Sequence, residues 1–376
     1  MLNNRSWAEI NLAALERNLR LIRDSLPRNV RYISVVKADA YGHGIHPTAA
    51  RLMQSGVDVF AVANVQEASE IREMGSGWPI LILGPLLEEE DGALIDFDLI
   101  PTLSSKEELH RFKKLSQKYQ KQISVHIKID SGMGRHGAWW EQAQELIELV
   151  AACNEITICG ALTHFAQPLD LSFTQEQRNR FLGVLEKTQI HRQKDFLVHA
   201  DNSSSLRSFD RKNIFNAVRI GLLQFGISPP QESILANLKV EPVLSFHAKL
   251  AMIKDLPKGT TLSYGRQFTL SRNSKIGIIS AGYGDAIPLP CGNRAHGLID
   301  GHPYPLVGRV TMDQTLIDLT DMKNEIKPGQ IVTLIGTQDK EEILLTELAN
   351  HADTIPWELL CSITKRVPRV YTTKRE

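Results

Sequence analysis

The chain has 376 residues, 42% of them hydrophobic and 23% charged, the balance of a soluble globular protein, and its length predicts two domains. Lys plus Arg and Asp plus Glu both number 43, so the formal net charge is zero and the basic excess of a nucleic-acid binder is missing. No run is apolar and long enough to span a bilayer, the first residues lack a secretory apolar core, and the four cysteines lack CxxC spacing. These features predict a cytoplasmic protein with no membrane or nucleic-acid partner, no disulfide framework and no structural zinc.

Ser6–Ile10 alternates as a short strand does. Asn11 is placed to cap a helix from Leu12 to about Ser25, with Leu12, Leu15, Leu19 and Ile22 on one face. Eight short apolar runs follow: Ile33–Val36, Val57–Ala63, Ile80–Leu83, Leu99–Thr102, Ile123–Ile129, Ile156–Thr163, Phe196–His199 and Ala217–Arg219. Helical stretches lie between them, including one beginning near Pro47 and others at Gln66–Met74, Lys106–Tyr119, Glu141–Ala152 and Thr174–Gln189. Strand–helix alternation over this length predicts an N-terminal (β/α)8 TIM-type barrel, residues 10–237. A doubly wound sheet is the rival, but Lys37–Gly44 is not a GxGxxG turn. From residue 238 to 376, short alternating runs between Gly, Pro and Asn turns predict a C-terminal, predominantly β domain, with residues 1–9 a candidate addition to it. One helix, Leu345–His351, is expected to interrupt it.

A (β/α)8 barrel places its chemistry at the C-terminal strand ends. Lys37 and Tyr41 follow the first strand, Asp130 to Arg135 the fifth, His164 the sixth, Asn202 and Ser203 the seventh, and Arg219 to Gly221 the eighth. Each alone has a bland reading, since strand-end lysines are ordinarily solvated and single histidines are ordinarily structural. Together they suit a small phosphorylated aromatic aldehyde. Lys37 would be its Schiff-base partner, Arg219 would meet the ring, and the Ser203 hydroxyl and Gly221 amide would hold the phosphate. Pyridoxal phosphate fits. His43 and His46 lack partnering Glu or Cys, so no metal site is expected.

The motif Val36-Lys37-Ala38-Asp39-Ala40-Tyr41-Gly42-His43-Gly44 resembles the cofactor-lysine signature of bacterial alanine racemases, pyridoxal-phosphate enzymes of fold type III. The resemblance continues through Lys128–Arg135, Thr163–Ala166, Asn202-Ser203, Val218–Gly221, Leu262–Arg266, Gly282–Asp285, Gly308–Gln314 and Arg366–Arg369, and so spans nearly the whole chain in order. It implies interconversion of L- and D-alanine by two bases, supplying D-alanine for peptidoglycan. Lys37 would carry the cofactor and serve the D face, and Tyr264 would serve the L face. It further implies substrate-carboxylate contacts from Arg135 and from the Met312 backbone, a phosphate contact from Tyr41, and a homodimer in which Tyr264 and Met312 complete the partner's site.

A phenol, with an ordinary pKa of about 10, needs a nearby cation to act as a base, and Arg135 or His164 is the expected source. Arg219 should leave the pyridine nitrogen largely unprotonated, because guanidinium does not readily give up its proton. Lys128 matches the family position whose amine can become a carbamate, with a surface or ion-paired lysine as the alternative. One position departs from the pattern: Trp357 stands where the family usually has a phosphate-contacting tyrosine. A racemase of serine or another small amino acid, a fold-similar decarboxylase and a cofactor-carrying regulatory protein are the competing readings. The decarboxylase's cysteine-centred and Gly-rich loops are not found, and a regulatory barrel would lack the domain bearing Tyr264 and Met312.

Overall fold

A computed structural model describes residues 4–206, 214–229, 231 and 233–373. It divides into two compact units, one of Leu15–Ala40 and Ile45–Glu241, the other of Met1–Ala14, Tyr41–Gly44 and Pro242–Glu376.

The first unit is a parallel barrel. Its strands are Arg31–Val35, Val59–Val62, Ile80–Ile82, Ile100–Leu103, Ile123–Asp130, Ile156–Leu162, Leu197–His199 and Ala217–Ile220, and the last pairs with the first. These runs are largely buried because both faces are covered; all four residues of Val59–Val62 are buried. No regular ladder joins the seventh and eighth strands. The ring is completed there by Asn216, whose side chain accepts from Val198 N–H at 2.8 Å and donates to the Phe196 carbonyl at 2.8 Å, and by Arg219 N–H donating to the Asp201 carbonyl at 3.1 Å. Helices start where their caps dictate. Ser105 accepts from Glu108 N–H at 3.1 Å to open Lys106–Tyr119, and Asp170 accepts from Phe173 N–H at 3.0 Å to open Leu171–Thr188. A six-residue helix, Asp91–Asp96, is too short to announce itself by period.

The second unit is built on a nine-stranded sheet. In spatial order it runs Glu341–Ile343, Ile331–Gln338, His296–Ile299, His302–Val307, Thr315–Asp318, Ser274–Ile279, Leu244–Leu256, Ser6–Asn11 and Arg369–Thr372. Every neighbouring pair is antiparallel except the last, which joins the two ends of the chain in parallel. Asn11 caps the helix Leu12–Asp24, accepting from Ala13 and Ala14 N–H at 3.1 and 3.0 Å.

The expectation of one helix interrupting the C-terminal β domain is corrected to two among the described residues. Pro356–Ser362 follows Leu345–His351, and only Leu359 and Leu360 of it are buried, too few to show a helical period. Residues 41–44 are fastened to the same region. Arg369 donates to the Gly42 carbonyl at 3.0 Å and Tyr371 to the His43 carbonyl at 3.1 Å. Gly42 has φ +75°, and a Cβ there would lie 2.2 Å from the Leu360 carbonyl oxygen, so the contact requires glycine.

Candidate active site

Lys37 stands exposed two residues beyond the first barrel strand. The chain behind it does something few L-residues do: Ala38, Asp39, Ala40 and Tyr41 all have φ between +52° and +54°, a left-handed turn. Such backbone costs about 1–2 kcal/mol per residue and persists only where the surroundings impose it. Glu67 imposes it from one side, accepting from Ala38 N–H at 2.7 Å and from Ala63 N–H at 2.8 Å. Asp39 accepts from Ile45 N–H at 2.7 Å. The strain is spent on setting the direction in which the chain leaves Lys37.

Lys128 and Asp130 share a face of the fifth strand, as period-2 alternation requires. Asp130 accepts from the N–H groups of Gly132, Met133, Gly134 and Arg135 at 2.8 to 3.2 Å, which folds the loop carrying Arg135 and holds the Asp130 carboxyl below its usual pKa against the opposing effect of burial. Lys128 is buried rather than on the surface. Burial first, then the charges of Arg219, Arg135 and Lys37, push its amine down to about 7.

Arg219 is the hub. Its Nη1 donates to the His199 carbonyl at 3.0 Å and to His199 Nδ1 at 2.8 Å. Its Nη2 meets the carbonyls of Thr163 and Ala200, both at 2.8 Å, and His164 Nδ1 at 3.1 Å. Because guanidinium only donates, Nδ1 of both histidines must accept, which leaves the proton on Nε2. His199 Nε2 then donates to His126 Nδ1 at 2.9 Å. Burial together with the Arg219 charge keeps all three imidazoles neutral, His164 near 2 and His126 near 3. His164 therefore cannot be the cation that favours a phenolate, and of the two groups expected in that role only Arg135 carries charge. Sequence reading misses His126 and His199, since buried strand histidines look like core. The Nε–H of Arg219 makes no hydrogen bond among the described residues.

Ser203 follows the seventh strand, and its hydroxyl is buried with no hydrogen-bond partner among the described residues. An orphaned hydroxyl of this kind costs about 1–3 kcal/mol unless a ligand satisfies it. Gly221 lies between the eighth strand and the short helix Leu222–Phe225. The strand ends thus collect Lys37, Lys128, Arg135 and Arg219 around a neutral His164, all four cations near enough to depress its basicity. Asp130 is spent on its loop and Asp201 on Arg178, 2.6 Å away, so the end of the barrel has an unbalanced positive field.

The remaining expected residues belong to the other unit. Tyr264 sits at the tip of the hairpin Thr261–Leu262 and Phe268–Thr269, 71% exposed. Met312 is 53% exposed beside Asp313. Tyr41 is buried, and Trp357 lies exposed in the first turn of Pro356–Ser362, the helix that Gly42 abuts.

A lysine displayed at a barrel strand end, a guanidinium with one donor to spare, an orphaned serine hydroxyl and a cationic field fit a phosphorylated aldehyde. They define the class as a pyridoxal-phosphate-dependent enzyme acting on amino acids. The comparisons narrow it. The family model for the alanine racemase N-terminal domain matches residues 10–229 and that for the C-terminal domain residues 243–371. An alanine racemase of Halothermothrix orenii is 38% identical over 98% of this chain and 97% of its own. The Bacillus anthracis alanine racemase, solved with bound L-Ala-P, superposes with a TM-score of 0.88 at 33% identity, covering 99% of this chain and 96% of that one. The Bartonella henselae alanine racemase, solved with covalently bound pyridoxal phosphate, gives 0.87 at 27% identity, covering 98% and 100%. The chain belongs to the alanine racemase family, and it is an amino-acid racemase dependent on pyridoxal phosphate.

Proposed function

We propose that Lys37 and Tyr264 are the two bases of the alanine racemase reaction in this chain, one for each face of the substrate. The observation that carries this reading is the gathering of Lys37, Lys128, Arg135 and Arg219 about His164, a field suited to a phosphate and a substrate carboxylate at once. When bound, the cofactor supplies the electron sink that makes the alanine Cα–H bond breakable.

Lys37 Nζ would hold the cofactor between turnovers and take or return the proton on the D face. Tyr264 Oη would do so on the L face, its phenolate favoured by Arg135 and by donation from His164 Nε2–H. Arg219 Nε–H would meet the cofactor's ring nitrogen and keep its own proton. The Ser203 hydroxyl, the Gly221 amide and Tyr41 would hold the phosphate, and Trp357 would take the place of the family's phosphate-contacting tyrosine. Arg135 and the Met312 N–H bind the substrate carboxylate. Lys128, partly neutral near pH 7, adds CO2 to its amine with loss of a proton, giving a carbamate that neutralises part of the field around Arg135.

Tyr264 and Met312 serve the partner chain's site in a homodimer, and the exposure of both side chains favours that arrangement. The enzyme is cytoplasmic and supplies D-alanine for peptidoglycan; among the described residues no helix is long and apolar enough to cross a membrane. Borohydride reduction of the holoenzyme followed by peptide mapping tests the lysine assignment. A cofactor adduct on Lys37 is expected, and an adduct confined to Lys128 would overturn it.

A further inference from the structure

The second unit carries a cluster of ligating side chains that the racemisation reaction does not use. His296 opens the strand His296–Ile299. Glu347 and His351 lie one turn apart on the helix Leu345–His351, so both project from one face. Glu347 Oε1 is 3.6 Å from His296 Nδ1 and 3.6 Å from His351 Nε2. The three ligand atoms all lie within 4.8 Å of one another.

These distances separate two ways of grouping the same side chains. At 3.6 Å neither imidazole is hydrogen-bonded to the carboxylate. Two ligands each ~2.1 Å from a tetrahedral ion stand roughly 3.4 Å apart, so 3.6 Å is close to the spacing of ligands that share a metal. None of the three side chains has another hydrogen bond among the described residues. Glu347 also has no lysine or arginine partner there. Arg294, which reaches the same helix, is engaged by Asp353 at 2.5 Å and by the His351 carbonyl at 3.2 Å. The side chains are 30%, 36% and 33% exposed for His296, Glu347 and His351, so an ion can reach them and keep water in its remaining position.

We propose that His296 Nδ1, Glu347 Oε1 and His351 Nε2 form a binding site for a divalent first-row transition metal, Zn2+ by preference, which clips the helix Leu345–His351 to the strand His296–Ile299. Two imidazoles and one carboxylate suit Zn2+, Co2+ or Ni2+ and are poor ligands for Mg2+ or Ca2+, which take oxygen donors. Sequence patterning does not reveal the set, because His296 lies far from the Glu347-x3-His351 pair in the chain.

The test uses untagged holoenzyme freed of metal by chelator and titrated with ZnCl2 by calorimetry, with Co2+ absorption reporting coordination geometry. One Zn2+ per chain is expected, with the tetrahedral Co2+ spectrum. His296→Gln and His351→Gln should each weaken binding by roughly tenfold or more, since each removes one of three ligands. Saturating Zn2+ should raise the thermal midpoint of the unmodified enzyme and leave that of the double variant unmoved. Racemase activity of the variants without metal is the control for folding, as none of the three residues belongs to the reaction site. No binding up to about 100 µM Zn2+, well above the affinity a structural site needs, would overturn the proposal. Equal affinity in the double variant would do the same.

Discussion

The guanidinium of Arg366 donates to the carbonyl oxygen of Met312 at 3.0 Å. It also makes a two-pronged pair with the buried carboxylate of Asp285, at 2.8 and 2.7 Å, and reaches Asp313 at 2.8 Å. Gly284 N–H donates to the same Met312 oxygen at 2.9 Å. Gly282 passes so close that a Cβ would lie 2.1 Å from the Thr311 carbonyl oxygen. The main chain at Met312 is thereby held from three sides, and its N–H is the proposed donor to the substrate carboxylate. On that proposal Arg366 is a positioning residue.

Lysine at position 366 would keep the charge but lose the fork that serves two carboxylates and a carbonyl together. Arg366→Lys is expected to raise KM for alanine about tenfold with a smaller change in kcat, the loss of roughly one charged hydrogen bond. Steady-state kinetics in both directions check this. A fall in kcat at unchanged KM would mean that Arg366 does not act through carboxylate binding.

Arg219 governs what the enzyme avoids. On the proposed assignment a guanidinium at the ring nitrogen would keep its proton and limit the electron sink, which would favour prompt return of the proton to the substrate. Arg219→Glu should racemise more slowly and release measurable pyruvate by transamination. Pyruvate no higher than in the unmodified enzyme, with the fold intact by circular dichroism, would count against the role.

The histidine chain behind Arg219 has a pH signature. His126 is held near 3 and His199 well below its ordinary value, by burial and then by Arg219. Both titrate near 6.5 once unfolded, so below that pH the unfolded chain takes up protons that the native one refuses. Stability is therefore full above about pH 6.5 and falls as the pH drops, by up to about 1.4 kcal/mol per pH unit for each histidine. His126→Gln removes one of these protons. Urea unfolding at pH 7 and pH 5 should show the unmodified enzyme losing about 2 kcal/mol more than the variant over that interval; equal losses would refute the assignment.

Trp357 lies in the helix Pro356–Ser362, whose Leu360 carbonyl Gly42 abuts, at the position where the resemblance implies a phosphate-contacting tyrosine. An indole N–H donates but cannot accept, and the ring is bulkier. Trp357→Tyr is expected to tighten cofactor retention severalfold, about 1 kcal/mol for one added hydrogen bond, and to alter the size range of accepted amino acids. Dialysis against buffer and a panel of substrates read both, and no change in either retires the idea.

The barrel is legible in the sequence because parallel strands are covered on both faces and appear as predominantly apolar runs. Lys106–Tyr119 and Leu345–His351 can even be placed to the residue. Barrel topology then tells where chemistry sits, which is why Lys37, Arg135, His164, Ser203 and Arg219 group together from chain order alone. The left-handed turn at Ala38–Tyr41 is not legible. Alanine, aspartate and tyrosine have no leaning toward it, and Glu67, some way along the chain, holds it. Pairing between Ser6–Asn11 and Arg369–Thr372 is equally silent, since nothing local links the two ends of a chain. Tyr264, Met312 and Trp357 are reached only through family resemblance. Arg366 is visible as part of a motif, but its purpose lies in a carbonyl it grips.

The division of labour between Lys37 and Tyr264 is tested most directly by following D- and L-alanine in D2O with Tyr264→Phe. With the L-face base removed, Lys37 should still wash deuterium into D-alanine at its α-carbon, while L-alanine forms at least about a thousandfold more slowly, as expected for loss of an essential base. Racemisation at the unmodified rate, or deuterium entering L-alanine before D-alanine, would contradict the two-base assignment.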